Sequence, residues 1–437
     1  MHVHSPTSLS VRSPRSVRIA LGVVMGVLVA ATGAGLAWLW PDRGALPERI
    51  AYLYETASWA YGTVVKVDPD PAPMVEDGEP AAVFVELPGE PEPQPIHLNP
   101  EVPPEDFSPG DRVKLMRLPA AEQNGSPYVF ADFVRNWPMA ILAGVFALLV
   151  FAVARWKGLA AIAGLVLSLL VIWQFLLPAL IVGKNPLLAG LVTASAVMFI
   201  VVYLAHGISV KTTTALLGTF AGIAVVATLA WWAIPAAHLT PRTHEGMSQM
   251  ASIAPAVDLR GVLLCGMVLA GVGVLNDVTI TQASAVWELR AAEPAASRRR
   301  VFARGMRIGR DHIASTVYTI AFAYVGTALA LLVLVNLYDH TPGDVLTFEE
   351  VAEELVRTLV ASIGLVLAIP LTTAIGAALA SPPSQTPSAD GGPPNDGPLD
   401  GAPPDDAPLD GEDVEAGPAG REEPGRGSAT PNARPTR

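Results

Sequence analysis

One cysteine, Cys265, stands in 437 residues, so neither an intrachain disulfide nor a cysteine-based metal site can form. Charge is scarce as well: 16% of the residues are Asp, Glu, Lys or Arg, against about 25% in a soluble globular domain. The sequence also has no GxxxxGK[ST] phosphate loop, no GxGxxG turn, no HExxH pair and no GxSxG elbow. An ATP-driven pump and a soluble-type hydrolase are thereby disfavoured. No cofactor or metal is indicated, and the chain reads as a non-enzyme. What is abundant is apolar sequence, 51% of the chain, with a mean hydropathy of +0.42. These values fit a polytopic α-helical membrane protein. The net charge of −12 comes mainly from the segment after the first apolar run and from the C-terminal end.

Residues 1–18 are polar, Ser/Pro-rich and carry Arg12, Arg15 and Arg18, which reads as a disordered basic leader. Residues 19–40 hold no charge, and at ~1.5 Å per residue they span the ~30 Å hydrocarbon layer. A cleaved signal peptide would have a shorter apolar region of about 7–15 residues, so the run is read as a retained anchor. Gly22 and Gly26 within it are read as packing.

Residues 41–135 form a soluble unit. Proline clusters exclude long helices there, and short β-rich runs at 62–67, 82–87, 112–118 and 128–134 predict a small antiparallel barrel or sandwich. In the third run Val113 and Leu115 alternate with Arg112, Lys114 and Arg117, the period-2 pattern of a half-buried strand.

From Pro138 onward, apolar runs at 138–154, 159–182, 187–205, 214–237, 260–280, 313–337 and 356–379 bring the expected number of spans to eight. Arg155, Lys157, Lys211 and the loop from Arg290 to Arg310 fall on the same side as the N-terminus. By the positive-inside rule that side is the cytoplasm of a plasma membrane, which puts both termini inside and the β-rich unit outside. Residues 381–437 are rich in Pro, Gly, Asp and Glu and too poor in apolar residues to offset chain entropy, which predicts a disordered acidic tail.

Two carboxylates, Asp277 and Asp311, sit near the ends of consecutive spans, where ionisable groups usually face a bundle interior or a wet cavity. On a helix Asp277, Thr281, Ser284 and Glu288 share a face, and so do Asp311, Ser315 and Tyr318, with His312, Thr316 and Thr319 beside them. Two such stripes joined by one loop could line a polar crevice, with Asp277, Asp311, His312, Asn276, Thr281 and Ser284 as transport or ion-binding candidates. The structural alternative is that the carboxylates cap helices or pair with Arg290 or Arg310. Histidine titrates near neutrality, so His312 and His206 are candidate proton relays with an equally simple hydrogen-bonding reading. Arg298, Arg299, Arg300 and Arg304 read as a topology determinant and a contact for anionic lipid head groups rather than for nucleic acid. Two aspartates on consecutive spans would also suit an intramembrane protease, but Gly273-Val274-Leu275-Asn276-Asp277 lacks the GxGD pattern of that class.

The blocks Asn276-Asp277-Val278-Thr279, Gln282-Ala283-Ser284-Ala285-Val286-Trp287-Glu288-Leu289-Arg290 and Gly309-Arg310-Asp311-His312-Ile313-Ala314-Ser315-Thr316-Val317 resemble the YibE/F family of bacterial integral membrane proteins. Tyr203-Leu204-Ala205-His206-Gly207-Ile208-Ser209 and Glu353-Glu354-Leu355-Val356-Arg357-Thr358-Leu359-Val360 look like further blocks, so the likeness runs over about residues 60–380. It implies a multi-span architecture and brings no reaction with it. Asn276 stands where the family pattern suggests a second Asp, which suits a cation less well. Two functional expectations follow. One is a transporter or permease for a small solute or ion, with its crevice between the sixth and seventh spans; the other is a non-transporting sensor or assembly partner that binds an envelope component through the external unit.

Overall fold

The computed structural model describes residues 14–47, 57–68, 82–99, 102–118, 126–240, 250, 253–337 and 341–380. Most of the expected leader and the whole of the expected tail lie outside the described residues. Helix α1, Arg15–Leu39, begins four residues before the apolar run. Gly22 and Gly26 meet open space, and the glycine of α1 that makes a close contact is Gly35, against Val192.

The soluble unit is a five-stranded sheet of β1 (Ser58–Val67), β2 (Val83–Glu86), β3 (Gln94–Ile96), β4 (Arg112–Arg117) and β5 (Tyr128–Phe133), in the order β3-β2-β1-β4-β5 with every pairing antiparallel. The sheet curls into a half-barrel. Its outer strands meet where the His97 N–H donates to the Tyr128 carbonyl and the Phe130 N–H donates to the His97 carbonyl, both at 2.8 Å. Alternation gives the core: Val64, Val83, Val85, Ile96, Val113 and Leu115 are all fully buried. Phe107, Phe130 and Phe133 close one end with ring centroids 4.9–5.0 Å apart. Pro95 hides β3 from a sequence reading, because proline argues against a strand except at an edge. Here β3 is the edge strand of the pairing ladder.

Apart from the single turn Pro342–Val345, the remaining α-helices among the described residues are α2 (Asn136–Val171), α3 (Leu177–Ile181), α4 (Pro186–His206), α5 (Val210–Ala236), α6 (Leu259–Ala292), α7 (Arg298–Thr327), α8 (Leu329–Asn336) and α9 (Glu349–Leu379). Among the described residues six helices are long and apolar enough to cross a membrane, or seven if the bent pair α7–α8 counts as one span. The count falls below the expected eight where Asn136–Ile181 is taken as one stretch, but two helices meet there across a kink at Arg155, between the runs expected at 138–154 and 159–182. Arg155-Trp156-Lys157 reads as a loop, but only Arg155 leaves helical geometry, with φ 55° and ψ −137°. The chain bends hard there: a Cβ added at Gly158 would come within 2.7 Å of the Val150 carbonyl oxygen, eight residues earlier. A π-helical turn at Ile172–Leu176 precedes Pro178 and carries the helix into α3. The span expected at 313–337 is the pair α7 and α8, bent by 64° at Ala328. Pro370 lies inside α9 without interrupting it.

Helices α5, α6 and α9 pack on one another through small residues. A Cβ on Gly222 would overlap Leu275 and approach Ala368, one on Gly218 would stand 2.9 Å from the Thr372 Cβ, and Gly271 and Gly364 both face Val226. Close backbone approach of this kind is how membrane helices gain dispersion energy where lipid offers no hydrophobic drive. The glycines thereby set where α5 meets α6 and α9, and that three-helix junction holds the buried polar groups.

Candidate functional site

The polar centre of the bundle lies on the face of α6 formed by Leu275, Thr279, Gln282 and Val286, all at most 2% exposed and each about one turn from the next. Thr279 Oγ1 is 2.6 Å from Thr219 Oγ1 of α5. Gln282 Nε2 donates to the Gly305 carbonyl of α7 at 2.8 Å and to Thr373 Oγ1 of α9 at 2.7 Å. Gly305 and Gly309 let α7 approach this closely, since a Cβ on Gly305 would stand 2.8 Å from Thr373 and one on Gly309 would strike Ile369. One glutamine thus ties three helices together with both of its amide hydrogens used. Sequence reading passed over Gln282, Thr219, Thr279 and Thr373. The signal was there: this face repeats at the helical period as the buried side of α6.

The expected stripes lie elsewhere. Asp277, Thr281 and Glu288 are exposed and Ser284 is half-buried, so the stripe occupies a face of α6 other than the buried one. On α7 the buried side carries Gly305, Gly309 and Ile320, with Met306, Ile313 and Tyr324 packed beside them. Asp311, two residues before Ile313 and so roughly 200° around the helix, is exposed with Ser315 and Tyr318. The structure therefore does not bring Asp277 and Asp311 together across one crevice.

The structural alternative fares no better. Neither carboxylate has an ion-pair partner or caps a helix among the described residues. The Arg290 side chain instead turns to the Ala296 carbonyl at 2.5 Å, 2% exposed and with Nε unpartnered. The hydroxyl of Thr281 is satisfied by its own helix, at the Asp277 carbonyl.

Two of the expected residues do present buried polar atoms without a hydrogen-bond partner: Asn276 Oδ1 and His312 Nε2. Both are half-buried residues within about two turns of the Gln282 junction. His206 is exposed at the end of α4, ahead of Gly207, which takes φ 72° to stop the helix.

The arginine loop is partly self-neutralised. Ser297 caps α7, and Glu293 pairs with Arg304 and, at 3.5 Å, with Arg300. Arg298, Arg299, Arg307 and Arg310 have no ion pair among the described residues. No group of three or more His, Cys, Asp or Glu side chains arranged to hold a metal occurs among the described residues.

A small-residue helical bundle with six or seven candidate spans, joined to a half-barrel sheet, defines a multi-pass membrane protein. The family model for YibE/F-like proteins matches residues 142–382, more than half of the chain, and the protein belongs to that family. No curated protein and no solved structure matches it.

Proposed function

We propose that the protein is a permease for a small solute or ion, and that Asn276 and His312 line its cytoplasmic mouth. The observation that supports this is the pair of buried polar atoms without partners, Asn276 Oδ1 and His312 Nε2. A polar group kept dry without a hydrogen bond costs about 1–3 kcal/mol in proteins and more in hydrocarbon, so both atoms are arranged to meet water, an ion or a solute. Asp277 and Asp311, each next to one of these residues in sequence, supply negative charge at the same end. In this reading the protein binds and moves its solute without chemical change. The test is a cysteine at Asn276 or His312 in a Cys265→Ala background, challenged in membrane vesicles with a water-soluble thiol reagent. Reaction at both positions is expected. Protection of both would remove the permease reading.

The same proposal fixes the topology at eight spans in the plasma membrane with both termini cytoplasmic, by taking the break at Arg155 as a turn between two spans. Reagent added outside intact cells should then modify cysteines placed at Gly78 or Gly343 and spare those at Ser297 or Gly392. The second reading, an envelope sensor or assembly partner, is favoured by the half-barrel having a hydrophobic core of its own, an architecture that elsewhere presents ligand-binding faces. A half-barrel that can be deleted without losing solute uptake would keep the permease reading and confine this second one to a separate role.

A further inference from the structure

Three candidate spans end at one place, at the end of the bundle opposite the arginine loop: α4 begins at Pro186, α5 stops at Ala236 and α6 begins at Leu259. A cavity of about 280 Å³ opens there, walled by Asn185 and Pro186 at the start of α4, Trp231 and Pro235 of α5, and Asp258 and Arg260 at the start of α6. Its level follows from α4, whose 21 residues rise by about the thickness of the ~30 Å hydrocarbon layer. The cavity therefore lies where hydrocarbon gives way to head groups. Trp231 and Trp232, both 63% exposed, agree with that level, because tryptophan collects at the interface.

The charged groups of the wall are open to a ligand. Asp258 and Arg260 are both exposed. Asp258 caps α6 with one oxygen, Oδ1, which accepts from the Arg260 backbone N–H at 3.1 Å. Its second oxygen stands at the seam with α4: a Cβ added at Gly261 would strike Pro186 and lie 2.9 Å from Asp258 Oδ2. Neither Asp258 Oδ2 nor the Arg260 guanidinium has a hydrogen-bond or ion-pair partner among the described residues, and the two do not pair with each other.

One free cation and one free carboxylate oxygen in the wall of an interfacial cavity are complementary to a zwitterion. A guanidinium suits a phosphate, since its fork can meet two oxygens at once. A carboxylate oxygen without a donor suits an ammonium, which brings both charge and N–H. We propose that this cavity binds the phosphoethanolamine head group of a membrane lipid, with the phosphate on Arg260 and the ammonium on Asp258 Oδ2. At about 280 Å³ the cavity stands at the small end of ligand sites, ~300–1,000 Å³, which suits a head group and leaves the acyl chains to run past Trp231 into the bilayer. A choline head group has no N–H to donate, and a glycerol head group leaves the phosphate charge unbalanced beside Asp258. The site is at the other end of the bundle from the Asn276 and His312 mouth, and its occupancy does not depend on the permease reading.

The full-length protein in maltoside micelles, which bring neither phosphate nor amine, is titrated with three short-chain lipids of equal chain length: phosphatidylethanolamine, phosphatidylcholine and phosphatidylglycerol. Binding is read by the shift in thermal unfolding. The wild type is expected to bind the ethanolamine lipid about tenfold or more tightly than the choline lipid, in line with a hydrogen bond to a charged group, and more tightly than the glycerol lipid. Asp258→Asn keeps a good helix cap and removes the charge, so the ethanolamine and choline lipids should then bind within about twofold of each other. Arg260→Gln removes the partner of the phosphate and should weaken both by about tenfold. As an exposed position it also covers the case in which Asp258→Asn fails to fold. Glycerophosphoethanolamine, the same head group without chains, separates a lipid from a free solute and should bind at least about tenfold more weakly than the lipid. Equal binding of the ethanolamine and choline lipids by the wild type, an ethanolamine preference that survives Asp258→Asn, unchanged binding in Arg260→Gln, or a free head group that binds as tightly as the lipid overturns the proposal.

Discussion

The hydrogen bond from Gln282 to Thr373 is the most exposed point of the packing argument, because it assigns a measurable coupling to two residues 91 positions apart. Gln282→Leu keeps the approximate volume and removes both donated bonds. The Gly305 carbonyl stays inside a helix, and Thr373 Oγ1 still donates to the Ile369 carbonyl at 2.7 Å, so neither former acceptor becomes an orphan. Side-chain hydrogen bonds between membrane helices contribute about 0.6 kcal/mol on average and about 1.7 at most. Two of them put the cost of Gln282→Leu at about 1–2 kcal/mol. Thr373→Val removes one of the pair and should cost about half as much. In the double-mutant cycle the coupling should then be about 0.6 kcal/mol. Thr372→Val is the control: its hydroxyl is equally buried and bonds only to the Ala368 carbonyl of its own helix. Its coupling to Gln282→Leu should be lost within about 0.3–0.5 kcal/mol of zero. The assay is reversible unfolding in bicelles by titration with a denaturing detergent. A Thr373 coupling no larger than that of Thr372 would refute the assigned network.

Glycines separate in the same assay. Gly218→Ala, which must displace Thr372, should cost about 1–3 kcal/mol, whereas Gly273→Ala, with nothing within 4 Å, should be neutral or slightly stabilising. Expressed as residues 41–135, the half-barrel should give a strand-dominated circular dichroism spectrum and a single cooperative melt, and a disordered fragment would remove the sensor reading. Its acid limb carries a specific signature. The hydrogen bond from Arg135 holds the Asp132 carboxyl below the usual carboxylate range. A depressed folded pKa contributes stability above the unfolded value of about 3.9 and loses it as pH falls through the lower folded value. Arg135→Ala should therefore lower the melting temperature slightly at neutral pH and not at all near pH 2. The effect is small because the pair is exposed, and a loss of equal size at both pH values would place it outside this pair.

Alternation and hydropathy are properties of single segments, and that is why the strands and most helices were legible while the site was not. Val113 and Leu115 alternate with charged residues, and β4 forms where that pattern predicts. Proline at position 95 masks β3, since edge placement depends on partners that the segment does not contain. The gap at Arg155 to Lys157 reads as a loop because charge interrupts hydropathy there, yet the backbone leaves helical geometry at a single residue. The buried face of α6 was obscured by the opposite habit of attending to charge. Asp277 and Glu288 attract notice in an apolar run, whereas Thr279 and Gln282 do not, and only the approach of α5, α7 and α9 decides which face becomes the interior.

The exposure of Asp277 follows from depth. At ~1.5 Å per residue it lies ~27 Å along α6 from Leu259, close to the far edge of a hydrocarbon layer ~30 Å thick. Helix α6 has 34 residues and on the proposed topology runs on for another ~20 Å past this edge, packed with the first turns of α7 and the end of α9. Thr281, Ser284 and Glu288 then face water on that projection, which accounts for a polar stripe with no partner inside the bundle. A carboxylate at this edge incurs little of the cost of burial at the centre, so its charge requires no counterion from the protein. Asp277→Asn and Asp277→Ala should both unfold within about 0.5 kcal/mol of the wild type, while cysteines placed at Thr281 and Glu288 should react rapidly from the cytoplasmic side. The functional question then separates cleanly from the structural one. If Asp277 serves the mouth at Asn276 and His312, Asp277→Asn folds normally but loses solute uptake or an ion-dependent thermal shift. A loss of more than about 1 kcal/mol in Asp277→Ala, with cysteines at Thr281 and Glu288 protected, would put the stripe inside the membrane against a partner and overturn the depth argument.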